Sequence, residues 1–301
     1  MKKIIIFAAI MMLLVFGAAA EEKINIVATD FPCYDFARQV AGDRANVTML
    51  IRPGVEVHSF EPSPADIIAI GEADLFVYIG GESDAWADNI LAGFDGEEKP
   101  ATIRMIEEVH AVESEHEHEG HDHDAPAYDE HIWTDPENAI HMVEAIAERL
   151  CAVDPENEAG YRASADAYIA EIEKIDAAIE EIVANAARHE IVFADRFPFI
   201  YFTEAYGLEY VAAFESCTAE TEPSPMTLMM LIDKVASEKI PVVYTIEMSS
   251  GNVARTVSEE TGCGVEMLHS LQTVTQDEFA AGETYVSIMW KNVEALRKGL
   301  S

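Results

Sequence analysis

The chain predicts an α/β protein of two lobes, each a parallel sheet flanked by helices, joined by one long backbone helix. Three observations carry this. Short β-branched or apolar runs alternate with amphipathic stretches from Lys23 onward, which is how βα units read. A glycine-free helical stretch follows near the middle of the chain. The same alternation then resumes to the carboxyl end. A single doubly wound sheet is the competing architecture, and it accommodates the uninterrupted helix less well.

Residues 1–20, MKKIIIFAAIMMLLVFGAAA, place two lysines before an apolar run that ends in small residues. This is the pattern of a secretory signal peptide cleaved near Ala20, so the mature chain is expected to be exported. A retained membrane anchor is the alternative. No cysteine follows directly, so a lipid-modified amino terminus is not expected. Residues 21–153 form the first lobe: INIVATD, VTMLI and LFVYIGG read as strands, YDFARQVAG and PADIIAIGEA as helices. Inside it, 113–127 reads as a loop, because EHEHEGHDHD (Glu115 to Asp124) has no apolar period.

Residues 154–188 are expected to form the interdomain helix, with Pro155 as start signal. Its apolar positions are Tyr161, Ala165, Tyr168, Ile172, Ile175, Ile179 and Ile182. A coiled-coil dimer is disfavoured, since the spacing does not persist for enough heptads. Residues 189–301 form the second lobe: EIVFAD, YFTEAYGL and LEYVAAF, then helical MTLMMLIDKVASEK. The strand PVVYTIE, the helix NVARTVSEETG, the strand VEMLHSL and a closing helix from Tyr285 to Leu300 complete it.

Without the leader the chain has 17 basic against 56 acidic residues, a formal charge of −39. Nucleic acid is therefore not expected as a partner, because phosphate binding needs clustered positive charge. Half the residues are apolar, so the acid belongs to a folded chain, where it serves solubility and enriches cations at the surface. Cys33, Cys151, Cys217 and Cys263 are too widely spaced for a C-x-x-C knuckle. In an oxidising compartment disulfides are expected, with unreadable pairing.

In parallel sheets, ligands sit outside the carboxyl ends of strands. His58 follows VTMLI, Asp195 follows EIVF, Glu247 ends PVVYTIE, and His269 ends VEML. His131 lies in YDEHIWTDP, between Pro126 and Pro136, on a loop ahead of a helix. Neutral imidazoles donate lone pairs without adding charge, which suits zinc or a similar borderline cation. Spacing alone does not show that they meet. A carboxylate such as Glu247 at a strand end often only caps the next helix.

PGVEVHSFEPSPADI resembles the first ligand motif of the substrate-binding proteins of zinc and manganese ABC transporters, the ZnuA/TroA-like family. DEHIWTDPENA is similar to the second motif, and YFTEAYGLEY, EPSPMTLMMLIDKV and TYVSIMWKNVEALRKGL to its carboxyl lobe. The resemblance implies a helical-backbone metal receptor, with His58 and His131 in the first two ligand positions. Where the family has His or Glu before an aromatic F-x-Y-F segment, ADRFPFIYF places Arg196, or its neighbours Ala194 and Asp195. Arginine has no lone pair to give. LHSL puts His269 at or beside the fourth position. The expected site is thus His58, His131 and His269, completed by Asp195, Glu247 or water.

By the same resemblance, His116, His118, His121 and His123 are an auxiliary collecting loop rather than the primary site; a solvated charge run is the bland alternative. Imidazole-rich ligation favours Zn(II) as the transported ligand over Mn(II) or another divalent ion. The implied partner is a membrane ABC permease, and the protein is expected to be a monomer with no enzymatic step. Affinity is expected to fall near the ordinary histidine pKa of about 6.5. A secreted zinc hydrolase and a transporter-free periplasmic metal buffer are the alternatives. The hydrolase signature H-E-x-x-H is absent: His116-Glu117 is followed by Gly120 and His118-Glu119 by Asp122 at the required spacing.

Overall fold

The computed structural model describes residues 23–94, 96, 99–112, 128–214 and 223–301. The leader, the His-rich loop with His116, His118, His121 and His123, and Cys217 lie outside them. The first lobe runs β1 (Ile24–Ala28), α1 (Phe31–Ala41), β2 (Ala45–Met49), α2 (Pro64–Gly71), β3 (Leu75–Tyr78), α3 (Ala85–Ala92), β4 (Ala101–Arg104) and α4 (Pro136–Val153). Then comes α5 (Glu158–Ala184). The second lobe runs β5 (Glu190–Phe193), α6 (Ile200–Tyr206), β6 (Glu209–Ala212), α7 (Pro225–Glu238), β7 (Val242–Thr245), α8 (Asn252–Thr261), β8 (Gly264–Met267), α9 (Gln276–Ala281) and α10 (Tyr285–Leu300).

Each lobe holds one four-stranded parallel sheet, ordered β2-β1-β3-β4 and β6-β5-β7-β8. The two lobes repeat one another down to a tetrapeptide. Glu-Pro-Ser-Pro occurs at 61–64 and at 222–225. In both copies the serine caps the following helix, Ser63 accepting from the Asp66 N–H and Ser224 from the Thr227 N–H, with the proline in the first turn. That position tolerates proline because its missing N–H is not needed there.

α5 spans 27 residues, about 40 Å at 1.5 Å per residue. Pro155 sits in a short 3₁₀ turn just before it. Its buried stripe is Tyr161, Ala165, Tyr168, Ile172, Ile175 and Ile179, and Ile182 packs at the edge of the same core. Each wholly buried isoleucine there stabilises by about 1.5–3 kcal/mol relative to exposure. The core beneath α5 is continuous from Phe36 and Val143 in one lobe to Phe193 and Leu296 in the other.

A polar tie reinforces that continuity. The Asp35 carboxylate of α1, fully buried, accepts from Arg38 Nε at 2.7 Å, Tyr168 Oη of α5 at 2.7 Å and the Tyr285 N–H of α10 at 2.7 Å. Three helices from both halves of the chain are thus fastened at one charge, which limits hinge motion between the lobes. Cys33, Cys151 and Cys263 are buried free thiols. This corrects the disulfide expectation for these three: they pack as small apolar side chains.

Candidate metal centre

The carboxyl ends of the two sheets face one another. Across the gap the Gly54 N–H donates to Thr273 Oγ1 at 3.2 Å, and Arg196 Nη1 donates to Glu56 Oε2 at 3.3 Å. His58 arrives on the loop after β2, which turns at Gly54 with φ +79°, a left-handed conformation that glycine adopts without steric cost. His131, 3 % exposed, precedes the 3₁₀ turn Ile132–Thr134 that leads into α4.

These two imidazoles meet, 5.6 Å between ring centroids. Their Nε2 atoms converge on the carboxamide nitrogen of Gln272, at 2.7 Å for His58 and 3.3 Å for His131. The opposite ring nitrogens set the tautomers. His131 Nδ1 lies 3.1 Å from Asp129 Oδ1, and a carboxylate only accepts, so Nδ1 carries the proton and Nε2 the lone pair. His58 Nδ1 lies 2.8 Å from Ser83 Oγ, and the Ser83 N–H donates to Glu130 Oε1 at 2.7 Å. The Gln272 nitrogen only donates, so at His58 as at His131 the Nε2 lone pair points inward, toward one spot between the lobes.

His269 does not share the convergence of His58 and His131 on Gln272 in this structure. Among the described residues no group of three or more His, Cys, Asp and Glu is gathered closely enough to hold a metal ion. His269 instead lies 4 % exposed in the second lobe, 3.5 Å from Glu247 and 3.9 Å from Glu278. Its Nδ1 accepts the Leu271 N–H at 2.9 Å, and Leu271 has a φ of +64°, a strained value for a branched side chain. Asn292 of α10 grips the same loop, donating to the His269 carbonyl and accepting its N–H, each at 2.8 Å. Trp133 Nε1 donates to the Ser270 carbonyl at 2.7 Å. His269 thus sits on the turn that presents Gln272, with its own buried Nε2 lacking a hydrogen-bond partner.

Glu247 is also absorbed by that turn: its carboxylate accepts the Ser270 N–H at 2.7 Å and the Ser270 hydroxyl. It caps no helix and faces no imidazole of the pair. Asp195, the expected fourth ligand, is 7 % exposed; Oδ1 accepts the Arg196 N–H at 2.9 Å, while Oδ2 has no hydrogen-bond partner. It does not join His58 and His131 in a ligand group. The sequence reading did not single out Gln272; its signal is a polar residue three places beyond His269 in LQTVT.

Electrostatics favour the unprotonated ring at His58. Burial, then the neighbouring His131 and Arg196, push His58 down to about 4, against the pull of Glu56 and Asp129. Proton competition at His58 thus lies well below the ordinary histidine range. Burial works to raise Asp129, but His131 and the bonds to it outweigh burial and hold the carboxyl below its usual value. Two neutral imidazoles and a carboxamide, with no thiolate, suit a borderline divalent cation. The Arg196 guanidinium opposes one.

The family model described as ZnuA, zinc-uptake complex component A periplasmic, matches residues 26–299. The chain is 35% identical over 287 residues to the zinc-binding lipoprotein AdcA of Streptococcus pneumoniae, covering 93% of this chain but 56% of that protein. It thus spans about half the length of that relative. The high-affinity zinc uptake system protein ZnuA of Bacillus subtilis is 31% identical, with 93% and 88% of the two chains covered. Among solved structures, the Zn(II)-bound ZnuA-like domain of S. pneumoniae AdcA superimposes with a TM-score of 0.78 at 34% identity, covering 93% of this chain and 99% of that one.

Proposed function

Because the chain belongs to the ZnuA family of periplasmic zinc-uptake components, we propose that it is an exported solute-binding protein that captures a divalent cation, Zn(II) foremost, and delivers it to an ABC transporter permease. One observation carries the reading: the inward Nε2 lone pairs of His58 and His131, from loops far apart in the chain, aim at a single point between the lobes. The cation is cargo, so the cycle contains no chemical step. It sheds water to reach the imidazoles and regains other ligands on release.

The protein works outside the cytoplasm, and no described helix is long and apolar enough to cross a membrane. His116, His118, His121 and His123 supply further, weaker cation contacts ahead of the primary site. The test is a zinc competition titration. His58→Ala and His131→Ala each weaken binding by roughly tenfold or more, whereas His269→Ala lowers thermal stability and changes affinity far less. Unchanged affinity in His58→Ala or His131→Ala removes that residue from the site and, with it, the basis of the proposal.

A further inference from the structure

The carboxylate that fixes the His131 tautomer is itself held, and the hold comes from the other lobe. Asp129 uses both of its backbone groups: its N–H donates to the Val112 carbonyl at 3.0 Å, and its carbonyl accepts from Tyr201 Oη at 2.7 Å. The same hydroxyl accepts the Val112 N–H at 3.0 Å. A carbonyl only accepts and an N–H only donates, so the phenol proton points at Asp129 and an oxygen lone pair at Val112. Three residues thus close one ring of hydrogen bonds.

Tyr201 belongs to α6 of the second lobe, whereas Val112, Asp129 and His131 belong to the first. It is buried, and burial above all raises its phenol, so the proton given to Asp129 stays in place at working pH. α6 also packs against the 3₁₀ turn Ile132–Thr134 that follows His131. A hydrogen bond of this kind spans about 2.7–3.2 Å, so moving α6 by about 1 Å parts it. The Asp129 backbone is then free to shift, and its Oδ1 with it.

We propose that Tyr201 is a positioning residue of the cation site: through the Asp129 backbone it carries the placement of the second lobe to His131, so that a small displacement between the lobes loosens the carboxylate and, with it, the cation. This rests on the zinc-carrier reading. The tie at Asp35 limits how far the lobes part. A short hydrogen bond between the lobes, one residue removed from the ligating ring, turns even a limited displacement into a change of affinity.

Tyr201→Phe keeps the aromatic ring and deletes the hydroxyl. Zinc competition titration of the full mature protein is expected to show binding roughly threefold to tenfold weaker. In an Asp129→Ala background, where no carboxylate is left to place, the same substitution should change affinity by less than about twofold. Tyr206→Phe is the control: it removes the bond from Tyr206 Oη to Asp176 Oδ1, 2.6 Å long and on the same helix, and should lower stability without weakening zinc. Imidazole 15N spectra of metal-free protein, assigned by the loss of one ring in His131→Ala, should show the Nδ1–H tautomer at His131 in wild type and a mixture with Nε2–H in Tyr201→Phe.

Unchanged affinity in Tyr201→Phe, an equal loss with and without the Asp129 side chain, or an equal loss in Tyr206→Phe overturns the inference. So does a His131 tautomer that Tyr201→Phe leaves unaltered. If Tyr201→Phe does not fold, hydrogen exchange of the wild type decides. Positioning and binding are reciprocal, so zinc should slow exchange at the Val112 and Asp129 amides beyond the slowing shared by the rest of the chain; no such excess overturns the inference. Failure of the carrier reading looks different, as a wild-type protein that binds no zinc. The tautomer readout needs no zinc and still decides whether Tyr201 places Asp129 against His131.

Discussion

Replacing Asp129 by Asn probes the weakest-looking but most informative contact of the centre. Asp129 touches no cargo; its Oδ1 lies 3.1 Å from His131 Nδ1 and also accepts the His131 N–H at 2.9 Å. A carboxylate in this place fixes the tautomer and raises the basicity of the ring that ligates. Losing such a partner costs about 10–100-fold in metal affinity, which is about 1.4–2.7 kcal/mol at 1.36 kcal/mol per factor of ten. The lower half of that range is expected, because the Asn oxygen still accepts from His131. The assay is zinc competition against a chromophoric chelator, with Asp135→Asn as control. That substitution makes the same change of charge where Asp135 caps α4 by accepting from the Glu137 N–H at 2.9 Å, a duty Asn performs equally well. Asp135→Asn should stay within about twofold of wild type if contact matters more than bulk charge. Equal weakening by both variants, or no weakening by Asp129→Asn, would refute the carboxylate–imidazole argument.

Arg196→Ala removes a cation that acts on His58 and gives up an ion pair with half-exposed Glu56; zinc should bind roughly threefold to tenfold tighter in the same titration. Burial and neighbouring Asp30 push Asp84 up to about 8 from an ordinary 3.8, so folded protein holds a proton that unfolded chain sheds. Stability from this group is complete below the unfolded value and is lost as pH rises through about 8. His269, which Glu247 and Glu278 raise despite burial, adds in the same direction. Metal-free protein should therefore lose roughly 2 kcal/mol between pH 6.5 and 8.5 in chemical denaturation, and Asp84→Asn should flatten most of that slope. Deleting Glu115 to Asp124 should leave one tight zinc site and lower the total stoichiometry by calorimetry; loss of the tight site would make the His-rich loop primary.

The architecture was legible because its signals are local. The α5 stripe at Tyr161, Ala165, Tyr168, Ile172, Ile175 and Ile179 is the set of residues that becomes buried. Two strands lie within the runs EIVFAD and PVVYTIE and a third starts one residue ahead of VEMLHSL, since β-branched clusters between turn residues leave few alternatives. That the loops of His58 and His131 border the cleft was legible for another reason: each sits in a short motif that holds its own loop in place, with Ser63 and Pro64 starting one helix and Asp135 and Pro136 the other.

The pairwise encounters inside the cleft were not. His269 and Gln272 are three residues apart on one strained turn, yet only Gln272 reaches the imidazoles while His269 folds back onto the Leu271 N–H. Residue type favoured the histidine; the positive φ of Leu271 and the grip of Asn292, Glu247 and Trp133 chose the glutamine. Hydrophobic period and turn chemistry are properties of neighbours along the chain, so the order of residues by itself determined two sheets, a long connecting helix and which loops border the cleft. Which side chains share an atom's width inside that cleft depends on loops from both lobes docking together, and distances across a gap are decided by the packing of the whole molecule.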